Sequence, residues 1–199
     1  MKPIDITELE KALQLVNDIL VFRDGDPYHL VVCGGSALIA LGLVARATKD
    51  VDILALKKHD LLVAPTPLPQ DLSTASLEVH KHLKLPEDWL NNGPSSSEGG
   101  LFQLGLPSGL EQRLVLKKYG EKLTVSFIGR LDQIFFKLWA AVDQGGYHIE
   151  DLLALSPTSE ELLLAAQWSC EKDVSAGYLL MLKNFLSEIN HDHIADRLA

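Results

Sequence analysis

The chain has 199 residues, of which 47% are hydrophobic and 23% charged, and its formal net charge is −9. This length allows one ordinary domain or a small core with an extension, and the apolar fraction excludes a disordered chain. The acidic balance excludes wrapping of duplex DNA by charge alone, though not a local basic site for a triphosphate or an RNA end.

From the N-terminus, MKPIDITELEK lacks a basic segment followed by an apolar one, so no signal peptide is expected. Thr7 and Glu10 have the spacing of a capping box, and Leu9, Leu13, Val16 and Leu20 follow at helical intervals. A helix over residues 7–22 is predicted, ended by Asp24-Gly25-Asp26-Pro27. His29–Cys33 reads as a strand, Gly34-Gly35 as a tight turn, and Ser36–Ala45 as a buried helix. The apolar run 30–45 is shorter than the roughly 20 residues of a membrane span and is broken by the two glycines, so no membrane association is expected. Val51–Leu56 is a second strand.

Residues 64–69, APTPLP, are loop, and 70–84 read as a helix of imperfect period. Residues 92–100, NGPSSSEGG, form the clearest flexible segment. Gln112–Lys118 and Lys122–Ile128 are predicted strands of a hairpin turning at Tyr119-Gly120-Glu121. The remainder reads as helical, with Leu131, Ile134, Phe135, Leu138 and Val142 in one stripe, a stop at Gly145-Gly146, and a new helix after Ser156-Pro157. Residues 174–188 and 191–198 are the last helices. Strands grouped early and helices grouped late predict an α+β fold, with a core over 1–129 and a C-terminal helical region over 130–199.

Cys33 and Cys170 lie far apart with no CxxC spacing, so a reducing, cytoplasmic setting is expected rather than a disulfide framework. His80/His82 and His191/His193 are two residues apart; on a helix such pairs diverge, and surface positions are expected. Trp89, Trp139 and Trp168 are expected as core anchors, and Lys117, Lys118 and Lys122 as a solvated turn.

The run carrying chemistry is Val31–Leu54, VVCGGSALIALGLVARATKDVDIL. Two glycines after a strand allow the backbone to approach a ligand closely. Ser36 at a helix start supplies a hydroxyl and free N–H groups suited to an anion. Asp50 and Asp52, two apart on a strand, present carboxylates to one face, a donor set that suits Mg²⁺ together with phosphate oxygens. Arg46 and Lys49 read equally as phosphate contacts and as solvated loop charges.

The combination of GGS, a helix and R-x-T-x-D-x-D (Arg46, Thr48, Asp50, Asp52) resembles the signature of the nucleotidyltransferase superfamily related to DNA polymerase β. It is most similar to the small prokaryotic members, including abortive-infection-type toxins. The resemblance implies a mixed sheet with flanking helices and Gly34, Gly35, Ser36, Arg46, Thr48 and Lys49 as nucleotide-binding residues. It further implies Asp50 and Asp52 as ligands of Mg²⁺ or Mn²⁺, with Lys137, and an Asp in the position of Asp151, as downstream counterparts. Lys137 by itself flanks an apolar stripe and reads as a snorkelling surface side chain. The implied activity is transfer of a nucleoside monophosphate from an NTP to a hydroxyl on protein, RNA or a small molecule. The family's third carboxylate is missing: the strand expected to hold it reads LTVSFIG, with Thr124 and Ser126 in place of an acid, and Glu111 is the best substitute. A catalytically degenerate nucleotide-binding or toxin–antitoxin-like module is therefore the alternative. A protein-interaction domain built on the C-terminal helices is a third reading.

Overall fold

The computed structural model describes residues 3–59, 61–96 and 100–198. The protein is α+β: helices flank a mixed sheet, and the chain ends in helices. It divides into two compact units, Met1–Leu106 with Leu110–Gly129, and Pro107–Gly109 with Arg130–Ala199. Among the described residues no helix is long and apolar enough to cross a membrane.

The first unit opens with α1 (Ile6–Phe22). Asp5 caps this helix, its carboxylate accepting from the Glu8 N–H at 2.9 Å. The expected Thr7–Glu10 box is therefore not the cap, because the helix begins ahead of Thr7. Glu10 instead receives the ammonium of Lys117 and the hydroxyl of Tyr119.

Strands β1 (Tyr28–Cys33), β2 (Val51–Lys58), β3 (Leu61–Val63), β4 (Leu90–Asn91), β5 (Val115–Lys118) and β6 (Leu123–Phe127) form one sheet in the order β3-β2-β1-β6-β5, with β4 also paired to β2. β1 runs antiparallel to β2 and parallel to β6. The β5–β6 hairpin is present, though β5 begins only at Val115, after a 3₁₀ turn over Leu110–Arg113. The edge of β2 away from β1 is shared: β3 pairs with its C-terminal end and β4 with its start. These two strands of two or three residues carry no readable period, which is why the sequence does not announce them.

β1 is buried continuously from Leu30 to Cys33, as suits a central strand covered on both faces. Helix α2 (Gly34–Ala40) packs on β1 and β2, and α1 packs on α2, β6 and α3 (Gln70–Leu83). α2 is shorter than the predicted Ser36–Ala45. Gly42, at φ +66°, ends it in a Schellman arrangement, with Leu43 N–H donating to Leu38 O and Gly42 N–H to Ile39 O. Of the segment 92–100, Gly93–Ser95 form a 3₁₀ turn and residues 97–99 lie outside the described ones. A short helix, α4 (Leu101–Leu104), follows. Trp89 has no exposed surface and donates its Nε1–H to the Ser76 carbonyl at 3.0 Å, tying α3 to the segment that leads into β4.

The second unit contains α5 (Arg130–Gln144), α6 (Tyr147–Ala154), α7 (Ser159–Lys172), α8 (Ala176–Glu188) and α9 (Asp192–Ala195). Gly145 and Gly146, both at positive φ, reverse the chain between α5 and α6. α5 packs against α6, α7 and α8, and Phe135, Phe136, Trp139, Trp168 and Tyr178 form one aromatic cluster. Thr158 and Glu161 make a true capping box on α7. The Arg130 guanidinium binds Glu161 and also donates to the carbonyls of Leu155 and Ser156, so one side chain fastens the start of α5 to the α6–α7 turn.

Two outcomes follow from these contacts. Trp89→Phe removes the Nε1–H donor of a buried hydrogen bond together with part of a fully buried ring; chemical denaturation should show a loss of about 1–3 kcal/mol. Hydrogen bonding from Arg130 is the main cause holding the Glu161 carboxyl below its ordinary value. Its contribution is thus complete above the ordinary glutamate range and is lost as pH falls through the lowered folded-state value. Glu161→Gln should flatten that part of the acid limb of a stability-versus-pH curve.

Candidate functional site at the end of the central strands

The site is built where β1 ends. A register step between Val31 and Val32 leaves Leu54 without a partner on β1 and sets Cys33 opposite Asp52. The next residue, Gly34, then turns at φ +69° directly past the Asp52 carboxylate. A Cβ at Gly34 would lie 2.5 Å from Asp52 Oδ2, so only glycine fits here. Gly35 is enclosed in the same way: a Cβ there would lie 2.7 Å from Thr48 Oγ1 and 3.2 Å from Arg46 Nη2. The two glycines therefore form a floor, and the side chains of Asp52, Thr48 and Arg46 close over it.

The loop returning from α2 to β2 is held in place by backbone pairing of Thr48 with the fully buried Ile4, at 2.8 and 2.9 Å. Thr48 is buried, and its hydroxyl points to Asp50 Oδ1 at 3.5 Å, the long limit of a hydrogen bond. Arg46 is half-buried and donates to the Ala47 carbonyl, whereas Lys49 is exposed. Asp50 stands just ahead of β2 and Asp52 within it, both half-buried. Burial, and then the nearby Asp88 carboxylate, push the Asp50 carboxyl above its ordinary value, against the opposing pull of Thr48, Lys49 and Arg46.

Ser36 is turned inward. It is fully buried, and its hydroxyl donates to the Cys33 carbonyl at 3.2 Å, bracing the glycine turn. Gly34, Gly35, Arg46, Thr48, Asp50 and Asp52 are thus gathered at one strand end, with Lys49 at the margin and the Ser36 hydroxyl engaged beneath.

The sheet register also locates the neighbours of Asp52. They are Cys33 on β1 and Asn91 on β4, and Asn91 Oδ1 accepts from the Gly93 N–H at 2.8 Å. β6, the LTVSF strand, lies on the far side of β1; its Ser126 is buried and within 2.7 Å of His29 Nε2. Glu111 sits exposed on the 3₁₀ turn ahead of β5. Among the described residues no group of three or more His, Cys, Asp or Glu side chains is placed to hold a metal. Two further residues lie near the acids, Asp88 and Asn91. Neither follows a motif, and only the two-residue pairing of β4 with β2 brings them there.

Lys137 belongs to the helical unit. It is buried there, not snorkelling, and its ammonium is 2.6 Å from Asp151 Oδ2, with Asp151 buried as well. The Tyr147 ring lies 5.5 Å from the same ammonium. Of the histidine pairs, His80 is bonded to the Leu85 carbonyl and His193 to Ser159.

No family model, curated protein or solved structure matches the chain.

A buried ion pair is costly to break from one side only. Lys137→Met should lower stability by about 3–5 kcal/mol, because it leaves the Asp151 carboxylate buried without its partner. Lys137→Met combined with Asp151→Leu should recover most of that loss in denaturant melts.

Proposed function

We propose that the strand-end site binds a nucleoside triphosphate complexed with Mg²⁺ or Mn²⁺, in the manner of a nucleotidyltransferase. The observation that carries this reading is the Gly34–Gly35 floor enclosed by Asp52, Thr48 and Arg46. Close backbone approach, carboxylate oxygens and a guanidinium are what a triphosphate–metal complex requires together.

The donor set fits a hard cation. Asp50 and Asp52 supply carboxylate oxygens, and Mg²⁺ takes one or two such ligands and completes its shell with phosphate oxygens and water. When bound, the metal would offset phosphate charge during an in-line displacement at the α-phosphorus. Arg46 would neutralise phosphate oxygens from the loop, and the exposed Lys49 would reach them from solvent. The backbone of Gly34 and Gly35 would define how near the phosphates come. Ser36 supports this floor through its bond to Cys33. Lys137 has no part in the proposed chemistry, since its ammonium is buried against Asp151.

In an active enzyme, an acceptor hydroxyl would attack the α-phosphorus as pyrophosphate leaves. The acceptor class stays open among protein, RNA and small molecule. One observation favours binding without transfer: β6, the strand on which the third carboxylate is expected, carries Thr124 and Ser126 and no acid.

Thermal melts with each of the four NTPs, with and without Mg²⁺, test the reading. At a hundred times Kd, a ligand selective for the folded state adds about 2.7 kcal/mol. The expected outcome is a Mg²⁺-dependent rise in Tm that Asp52→Ala abolishes. A Tm unmoved by every NTP would overturn the reading. Pyrophosphate release in the presence of candidate acceptors then separates transferase from binding module.

A further inference from the structure

A groove of about 510 Å³ opens on the first unit between α3 and the segment leading into β4. Leu68, Leu77 and Leu90 supply its apolar wall, and Ser76, Glu87 and Asp88 its polar one. The volume lies within the range of small-ligand sites.

The polar groups are unsatisfied in one sense only. Glu87 and Asp88 are exposed carboxylates, and neither has an ion-pair partner among the described residues. Ser76 is 5% exposed; its carbonyl accepts from Trp89, yet its hydroxyl bonds to no described residue and lines the groove. A hydroxyl acceptor and two carboxylates beside a leucine wall call for a donor that is cationic at one end and apolar at the other. An anion is opposed by both acids. A hard metal ion gains nothing from three leucines and finds no group of three ligating side chains here.

We propose that this groove binds a short aliphatic primary amine, its ammonium held by Ser76, Glu87 and Asp88 and its hydrocarbon stem lying along Leu68, Leu77 and Leu90. The groove adjoins the strand-end site through Asp88, which lies near Asp50, but its reading does not depend on the nucleotide reading. Each part contributes modestly: exposed charge pairs are weak, and an open groove buries only part of the stem. The binding is correspondingly weak, with a Kd in about the millimolar range.

The test is a titration of the full chain with n-pentylamine, followed through the amide resonances of residues 73–77 and 87–90. Saturable shifts are expected at these positions. Pentan-1-ol keeps the stem without the charge, and methylammonium keeps the charge without the stem; each should bind about tenfold more weakly or worse. Glu87→Gln with Asp88→Asn alters only exposed positions, so Tm should hold while pentylamine weakens about tenfold and pentanol is unchanged. Asp52→Ala should leave amine binding intact, so a failed nucleotide assignment does not carry the groove with it. The proposal is overturned if pentylamine gives no saturable shift at these residues. It is equally overturned if pentanol matches pentylamine, or if the doubly neutralised variant binds like the parent.

Discussion

The close passage of Gly34 beside Asp52 is the constraint on which the first unit turns. Cys33 and Asp52 are opposite each other in the sheet, and the chain leaves β1 at positive φ with no room for a Cβ. That one contact fixes where α2 begins, where the loop to β2 must return, and which side chains can reach the glycine floor. It depends in turn on the register step at Val31/Val32; without it, Cys33 would not be paired with Asp52. The buried β1 and its two long neighbours hold that register, since slipping by one residue would move apolar side chains out of a core covered on both faces.

Around this point the acids are not alike. Asp52 is fixed against the glycine turn, whereas Asp50 stands just outside the strand and under the influence of Asp88. A carboxyl raised by burial and by a second acid is one whose charged form gains from an arriving cation. In the proposed reading, that electrostatic situation is what the cation of a metal–phosphate complex would relieve. The strand on which the resemblance would place a third acid, β6, carries Thr124 and Ser126 instead.

The helical unit is organised by different means. Arg130 and the Lys137–Asp151 pair place charges inside or at the edge of an otherwise apolar and aromatic assembly. Such pairs add little net stability over a hydrophobic alternative, but each becomes costly if one partner is lost. Lys137 flanks the apolar stripe of α5 in sequence and is nevertheless buried, because α6 supplies a carboxylate to receive it.

By itself the sequence determined the α+β class, the two long central strands, the hairpin, a helix over 70–84, a helix along the Leu131–Val142 stripe stopped at Gly145-Gly146, and the glycine turn preceding a pair of aspartates. These rest on local signals: apolar runs, helical spacing, and the conformations open only to glycine or favoured at helix caps. The helix after the glycine turn was legible in kind but not in length. Its stop, Gly42, lies inside an apolar run that gives no polar punctuation. The tertiary structure alone decided the rest. Strands as short as β3 and β4 have no period, and pairing with β2 creates them. Glu10 reads as a capping residue until the hairpin brings Lys117 and Tyr119 to it. The turn directs the Ser36 hydroxyl to the Cys33 carbonyl, a partner that no local pattern announces. Asp88 and Asn91 join the neighbourhood of Asp50 and Asp52 only through the sheet. A side chain's role depends on its partners, and partners far apart in sequence are chosen by packing and register, which no local pattern encodes.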